Sequence, residues 1–247
     1  MDKIENNKLK EFQEFVDYKF KNENLLIQAL TTISFGNEIG RPNYDILETL
    51  GDAVIKLIFS LKIYNENNSN PGELTQKKQL LENDEILSLI ARNYFNLDTY
   101  IFKRKNENLE ESTILADVLE ALCGALYLDS GKNLNLVENK IIDRFYKDRD
   151  SIIRNSPIFS KNELLEFLQK KYHTTPNIIP EFENLGSDHK PQWIAKNPKI
   201  YNLPKGLNLP KDLKSIASKS KQKAEMDLYK KILHYLKKSN ATTEIIK

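Results

Sequence analysis

The stretch YDILETLGDAVIKLIFSL, residues 44–61, carries two carboxylates, Glu48 and Asp52, one helical turn apart in a segment that is otherwise almost wholly apolar. From Ala53 onward only Lys56 and Ser60 interrupt the apolar run, so the segment reads as a helix buried on most of its faces. Positions i and i+4 are neighbours on a helix surface, where like charges repel. A solvated helix tolerates this at little cost. A buried one requires a proton, a cation or a metal ion beside the acids.

A second segment repeats the problem. In ILADVLEALCGALYLDSG, Asp117 and Glu120 stand at i and i+3, and they are the only charges between Ile114 and Leu128. One isolated acidic pair is most often a solvated face. Two pairs in otherwise uncharged helices reverse that reading. Neither helix carries a histidine or arginine, and Lys56 lies a turn beyond Asp52. Four carboxylates without basic partners suit a hard divalent cation, Mg²⁺ with Mn²⁺ able to substitute, leaving positions for water and phosphate. A di-iron bundle would need Glu-x-x-His, and neither Glu48 nor Glu120 is followed by one.

The chain has 247 residues, of which 40% are hydrophobic, enough for one large domain or two modest ones with a real core. The single cysteine, Cys123, excludes an internal disulfide and lies in EALCGALYL, where it reads as a small core residue. No apolar run reaches membrane-spanning length, and MDKIENNKLKEF lacks a secretory apolar region. The expectation is an intracellular protein, cytoplasmic or nuclear, that is not secreted and makes no membrane contact.

Charge is divided along the chain. Residues 1–150 hold 19 basic against 26 acidic side chains, and residues 151–247 hold 18 against 9, so a net charge of +2 conceals an acidic half and a basic half. Such a division suits a cation-using domain joined to one that meets a polyanion. The first part is helical in pattern almost throughout, with Asn22 and Asn83 at N-cap positions and Gly131 ending the helix of the second acidic pair. The second part reads as helix, then strands punctuated by proline and glycine, then a basic helix, which is an α+β order.

LETLGDAV together with LADVLEALCGALYLDSG, at this spacing, resembles the two signature helices of the ribonuclease III family. YKFKNENLLIQALTTIS and LLENDEILSLIARNYFNL extend the likeness over about residues 8–148. The resemblance implies an all-α helical domain that forms a homodimer, binds Mg²⁺ and hydrolyses double-stranded RNA to products with 5′-phosphates and short 3′ overhangs. By position it makes Glu48, Asp52, Asp117 and Glu120 the catalytic, metal-binding acids, with Asp45 a flanking acid. Two departures bear on the dimer: Ile46 replaces a usually polar residue, and Thr49 replaces the aromatic that enters the partner. Metal-assisted hydrolysis of a phosphodiester needs no nucleophilic side chain, in keeping with the lack of a Ser-His-Asp or Cys-His arrangement.

KNELLEFLQKKY, PEFENLGSDHKPQW and SKSKQKAEMDLYKKIL, in that order, resemble a double-stranded-RNA-binding domain of α-β-β-β-α order. Such domains read A-form shape across two minor grooves and the phosphates between them. The likeness implies RNA contacts from Glu166 and Gln169 on the first helix, from His189 in the turn, and from Lys219, Lys221 and Lys223 at the start of the last helix. The expected organisation is a catalytic domain over 1–148, a linker over 149–159, the RNA-binding domain over 160–238 and a tail over 239–247. An irregular insertion is expected at about 196–217, where three prolines interrupt strand formation. The alternative is a catalytically silent, structural double-stranded-RNA-binding relative of the ribosomal type. Retention of four mutually repelling acids argues against it.

Overall fold

Two helices in backbone contact organise the first half of the chain. In the computed structural model, which describes residues 3–66, 71–109, 112–187, 190–202, 209–210 and 212–244, α4 (Asp45–Asn65) lies against α8 (Ile114–Asp129). Asn43 Oδ1 accepts the Asp45 N–H at 3.1 Å where α4 starts. Asp45 and Glu48 fall in its first turn, where the helix dipole favours negative charge. The contact depends on two glycines. A Cβ at Gly51 would lie 1.7 Å from the Glu120 carbonyl oxygen, and one at Gly124 would lie 2.3 Å from that of Leu47. Leu47, Ile55, Ile58, Phe59 and Ile63 of α4 and Leu115, Leu119, Leu122 and Leu126 of α8 are buried, as is Cys123.

The surrounding helices are α1 (Lys3–Val16), α2 (Glu23–Ala29), α3 (Ile33–Ile39), α5 (Pro71–Leu81), α6 (Asp84–Phe95) and α7 (Leu97–Tyr100). Of these, α2, α6 and α7 pack on α8, and α5 packs on α4. Asn22 and Asn83 cap α2 and α6 through side-chain oxygens, and Gly131 takes a left-handed φ of 76° after α8, as the sequence leads one to expect. The pattern over 135–150 predicts one helix, but the chain forms α9 (Leu134–Val137), a π-helical turn (Glu138–Ile142) and α10 (Asp143–Tyr146). The wider turn brings positions i and i+5 together, and both Glu138 and Asp143 pair with Lys62 of α4 at 2.7 Å.

The chain divides into two compact units between Ile153 and Arg154. Helix α11 (Arg149–Arg154) reaches that boundary. The second unit comprises α12 (Pro157–Tyr172), β1 (Asn177–Asn184), β2 (Trp193–Tyr201) and α13 (Lys221–Glu244). Ser156 caps α12, with Pro157 in its first turn, so that helix begins four residues earlier than KNELLEFLQKKY suggests. Leu164 and Leu168 of α12, Ile178 and Ala195 of the strands, and Leu228, Tyr229 and Ile232 of α13 form its core.

Two expectations for this unit need correction. Residues 196–201, expected to begin an irregular insertion, are strand. The antiparallel pairing runs Ile179↔Lys199 and then Glu181↔Lys196, so a bulge removes Pro180, Asn197 and Pro198 from the ladder, and Asn197 takes a φ of 48°. A proline outside the ladder has no hydrogen bond to lose there. The rest of the expected insertion includes 203–208 and 211, which lie outside the described residues. The third expected strand is reduced to isolated bridges, Trp193↔Ser218 and Lys196↔Lys214. Its ladder breaks at Ser215, whose hydroxyl accepts the Ala195 N–H at 2.9 Å in place of a backbone carbonyl. Among the described residues no helix is long and apolar enough to cross a membrane.

The α4–α8 contact gives a direct test. Gly51→Ala would press a methyl group onto backbone rather than onto a flexible side chain, and is expected to destabilise the first unit by about 3 kcal/mol or more. Thermal unfolding followed by circular dichroism reads this. A variant melting with wild type would contradict the contact.

Candidate active site

The glycine contact sets the two acidic pairs beside one another. Glu48 of α4 and Asp117 and Glu120 of α8 each offer a carboxylate oxygen, and these three atoms lie within 4.8 Å of one another. The fourth acid, Asp52, is turned to its own helix: its Oδ2 accepts from Lys56 Nζ at 2.7 Å. Asp45 is exposed at the start of α4. The structure thus divides the four expected acids into a group of three and one ion-paired neighbour.

Glu120 is 9% exposed, and its carboxyl is pushed up to about 8, first by burial and then by the charges of Asp52, Glu48 and Asp117. Burial, followed by Asp117, Asp45 and Asp52, also raises Glu48. Asp117 is raised by burial against two hydroxyl donors to its Oδ2, Tyr44 at 3.0 Å and Thr113 at 3.1 Å. Asp129, at the far end of the same helix, behaves oppositely. Burial pushes it up, but the Lys21 N–H (2.9 Å), the Tyr18 hydroxyl (2.7 Å) and the Asn22 N–H (2.8 Å) outweigh that and hold it below the usual range. One helix therefore carries a buried acid saturated with donors and another crowded by like charges.

That crowding fits a divalent cation. The donors are all carboxylate oxygens, close enough to share one ion, and among the described residues none of Glu48, Asp117 and Glu120 forms an ion pair. A hard ion with oxygen ligands would relieve the repulsion and keep positions for water and a phosphate oxygen.

Several participants escape the sequence reading. Asp84, exposed in the first turn of α6, adds its negative field to Glu48, Asp117 and Glu120. In sequence it reads only as a dipole-stabilising acid beside the Asn83 cap. Tyr44 is 3% exposed, and its reach to Asp117 spans 73 residues, for which no local pattern exists. Lys56 at i+4 from Asp52 has a legible spacing, and the pairing follows from it.

In the second unit Glu166 and Gln169 are exposed on α12. Lys219, Lys221 and Lys223 are exposed where α13 begins, with Lys219 just ahead of the helix. The Lys221 ammonium lies 4.5 Å from the centre of the Trp193 ring, which ties this end of α13 to β2. His189 lies outside the described residues.

Comparison with known proteins bears on the same residues. The Ribonuclease-III-like family matches residues 22–145, a span that includes all four acids. The chain is 36% identical to ribonuclease 3 of Aliarcobacter butzleri over 188 residues, covering 72% of this chain and 79% of that protein. It is 28% identical to ribonuclease 3 of Nitratiruptor sp. over 246 residues, covering 94% and 98%. Among solved structures, the nuclease domain of ribonuclease III from Campylobacter jejuni is 31% identical with a TM-score of 0.50, covering 60% of this chain and 97% of that one. A further structure of that domain, with the same identity and TM-score, concerns structural flexibility in a region involved in its dimer formation.

The position of Glu120 has a consequence for stability. Its carboxyl ionises at about 8 in the folded chain but near the ordinary 4.5 once unfolded. The stability that neutral Glu120 allows is full below pH 4.5 and is lost as pH rises toward 8. In the presence of a chelator, Glu120→Gln is expected to match wild type at pH 5 and to exceed it by on the order of 3 kcal/mol at pH 9. Urea denaturation at the two pH values checks this, and an equal difference at both would contradict it.

Proposed function

Because the chain belongs to the ribonuclease III family, we propose that this endoribonuclease is Mg²⁺-dependent and cuts double-stranded RNA to products with 5′-phosphates and short 3′ overhangs, in RNA processing inside the cell. The observation that carries this reading is the cluster of Glu48, Asp117 and the buried Glu120, none of them in an ion pair among the described residues, with Asp52 beside it. These four residues would hold Mg²⁺, or Mn²⁺ in its place. When bound, such an ion supplies an activated water, neutralises charge developing on the phosphate and assists the leaving 3′ oxygen.

The chain's own groups shape that chemistry. Tyr44 and Thr113 donate to one oxygen of Asp117, which fixes the plane of the carboxylate. Glu120 gives up its proton on taking a cation, so occupancy strengthens as pH rises toward 8. Asp45 remains a flanking acid at the mouth of the helix. The catalytic domain is assigned to 1–148, the linker to 149–159 and the RNA-binding domain to 160–238. In the latter, Glu166 and Gln169 would meet ribose hydroxyls, His189 the next minor groove, and Lys219, Lys221 and Lys223 the phosphates between them.

Cutting both strands requires two sites, and the reading includes a homodimer. Its support is an outward apolar row along α4, in which Ile46 is 77% exposed, Leu57 and Leu61 46% each and Tyr64 74%. Thr49 lies in that row where the family places an aromatic, and Ile46, one turn away, supplies apolar surface that compensates. Large exposed apolar rows of this kind mark interfaces.

Two experiments test the proposal. Glu120→Gln is expected to retain binding to a long RNA duplex while Mg²⁺-dependent cleavage falls by roughly 100-fold or more. Undiminished cutting would remove Glu120 from the site. Sedimentation at micromolar concentration should give a species near twice the 28.7 kDa chain mass. Ile46→Asp should weaken that dimer by roughly tenfold or more. A wild-type chain that stays monomeric with and without duplex RNA would overturn the dimer.

A further inference from the structure

The four acids are not equivalent, because one of them already has a resident cation. Lys56 stands one turn beyond Asp52 on α4, and its Nζ lies 2.7 Å from Asp52 Oδ2. The order, acid before base at i and i+4, is the favourable one on a helix. Glu82 and Glu120 also attract this ammonium, so it sits in a field that is negative on several sides. Glu48, Asp117 and Glu120, by contrast, have no ion pair among the described residues and lie within 4.8 Å of one another.

A cation drawing on Asp52 must therefore displace an ammonium in direct hydrogen-bond contact. If Lys56 stays nearby, the cation must also accept its repulsion. That repulsion is twice as strong for a divalent ion as for a monovalent one, and solvent around the partly exposed Lys56 and Asp52 side chains screens it without removing it. Among the described residues no cation forms an ion pair with the trio, and Lys56 reaches Glu120 only through its longer-range field.

We propose that Lys56 is a positioning residue that sets the share Asp52 takes in cation binding, so that the site fills unequally, with the trio first and the Asp52 side weaker. This rests on the reading of the four acids as a metal site. It adds an internal cation, Lys56, that tunes the occupancy of that site from within α4.

The test is a titration of the full-length chain with Mn²⁺ in the absence of RNA, followed by calorimetry and by electron paramagnetic resonance of the free ion. Lys56→Met keeps the stem and removes the charge, Lys56→Gln is a second neutral variant, Lys56→Arg keeps the charge, and Glu120→Gln reports on the trio. Wild type should show a stronger class of sites that disappears in Glu120→Gln. In both neutral variants a weaker class should appear, or strengthen by roughly fivefold or more, with the stronger class within about twofold of wild type. Lys56→Arg should resemble wild type. Glu120-dependent binding with no change in the neutral variants, or an equal change in Lys56→Arg, would overturn the role of Lys56 alone. Absence of any Glu120-dependent Mn²⁺ binding in wild type would overturn the metal site, and this inference with it.

Discussion

The contact between α4 and α8 at Gly51 and Gly124 is the constraint on which the first unit depends. With backbone atoms touching at both glycines, no side chain can come between the two helices. Glu120 belongs to the point of contact itself, since its own carbonyl is what a Cβ at Gly51 would strike. The packing that completes the core thus also determines how far Glu48 can stand from Asp117 and Glu120. Core and site are one piece of geometry, and loosening the first disperses the second.

That arrangement is electrostatically costly, and the contrast within α8 indicates that the cost is local. Asp129 is satisfied by three donors from residues 18–22 and pins that segment to the helix end. Glu120, nine residues earlier, has like charges for neighbours and is forced toward the neutral form. A sequence selected for stability alone would supply donors or a basic partner at both positions. Unrelieved repulsion where two closely packed helices meet is what a cation-binding site requires before its ion arrives.

The second unit meets its constraints differently. Its sheet accommodates Pro180 and Pro198 by leaving both outside the ladder at one bulge, and it keeps a two-stranded surface with cross-strand pairs Glu183–Lys196 at 2.7 Å and Glu181–Lys199 at 3.2 Å. Lys221 is committed partly to Trp193, so the basic start of α13 is held against β2 rather than left wholly free. The positive charge of this half is therefore organised by packing as well as by composition.

Local spacing was enough to read much of this molecule. The i, i+4 and i, i+3 placement of Glu48, Asp52, Asp117 and Glu120 in uncharged helices, the caps Asn22 and Asn83, the stop at Gly131 and the change of character in the second half all lie within a few residues of chain. The turns of a helix repeat every three or four residues, so such features belong to the sequence itself. What lay beyond it depends on elements that meet from far apart. Tyr44 reaches Asp117 across 73 residues, and Asp84 projects its field from a third helix. The wide turn at Glu138–Ile142 is matched to Lys62 of α4. Pro198 is spared by the register of a partner strand, and the third strand fails at one hydroxyl. The sequence by itself determined which acids share a helix face. Only the tertiary structure decided that Glu48, Asp117 and Glu120 form one cluster, because that depends on how closely two backbones approach, and distance between helices is not encoded in spacing along either one.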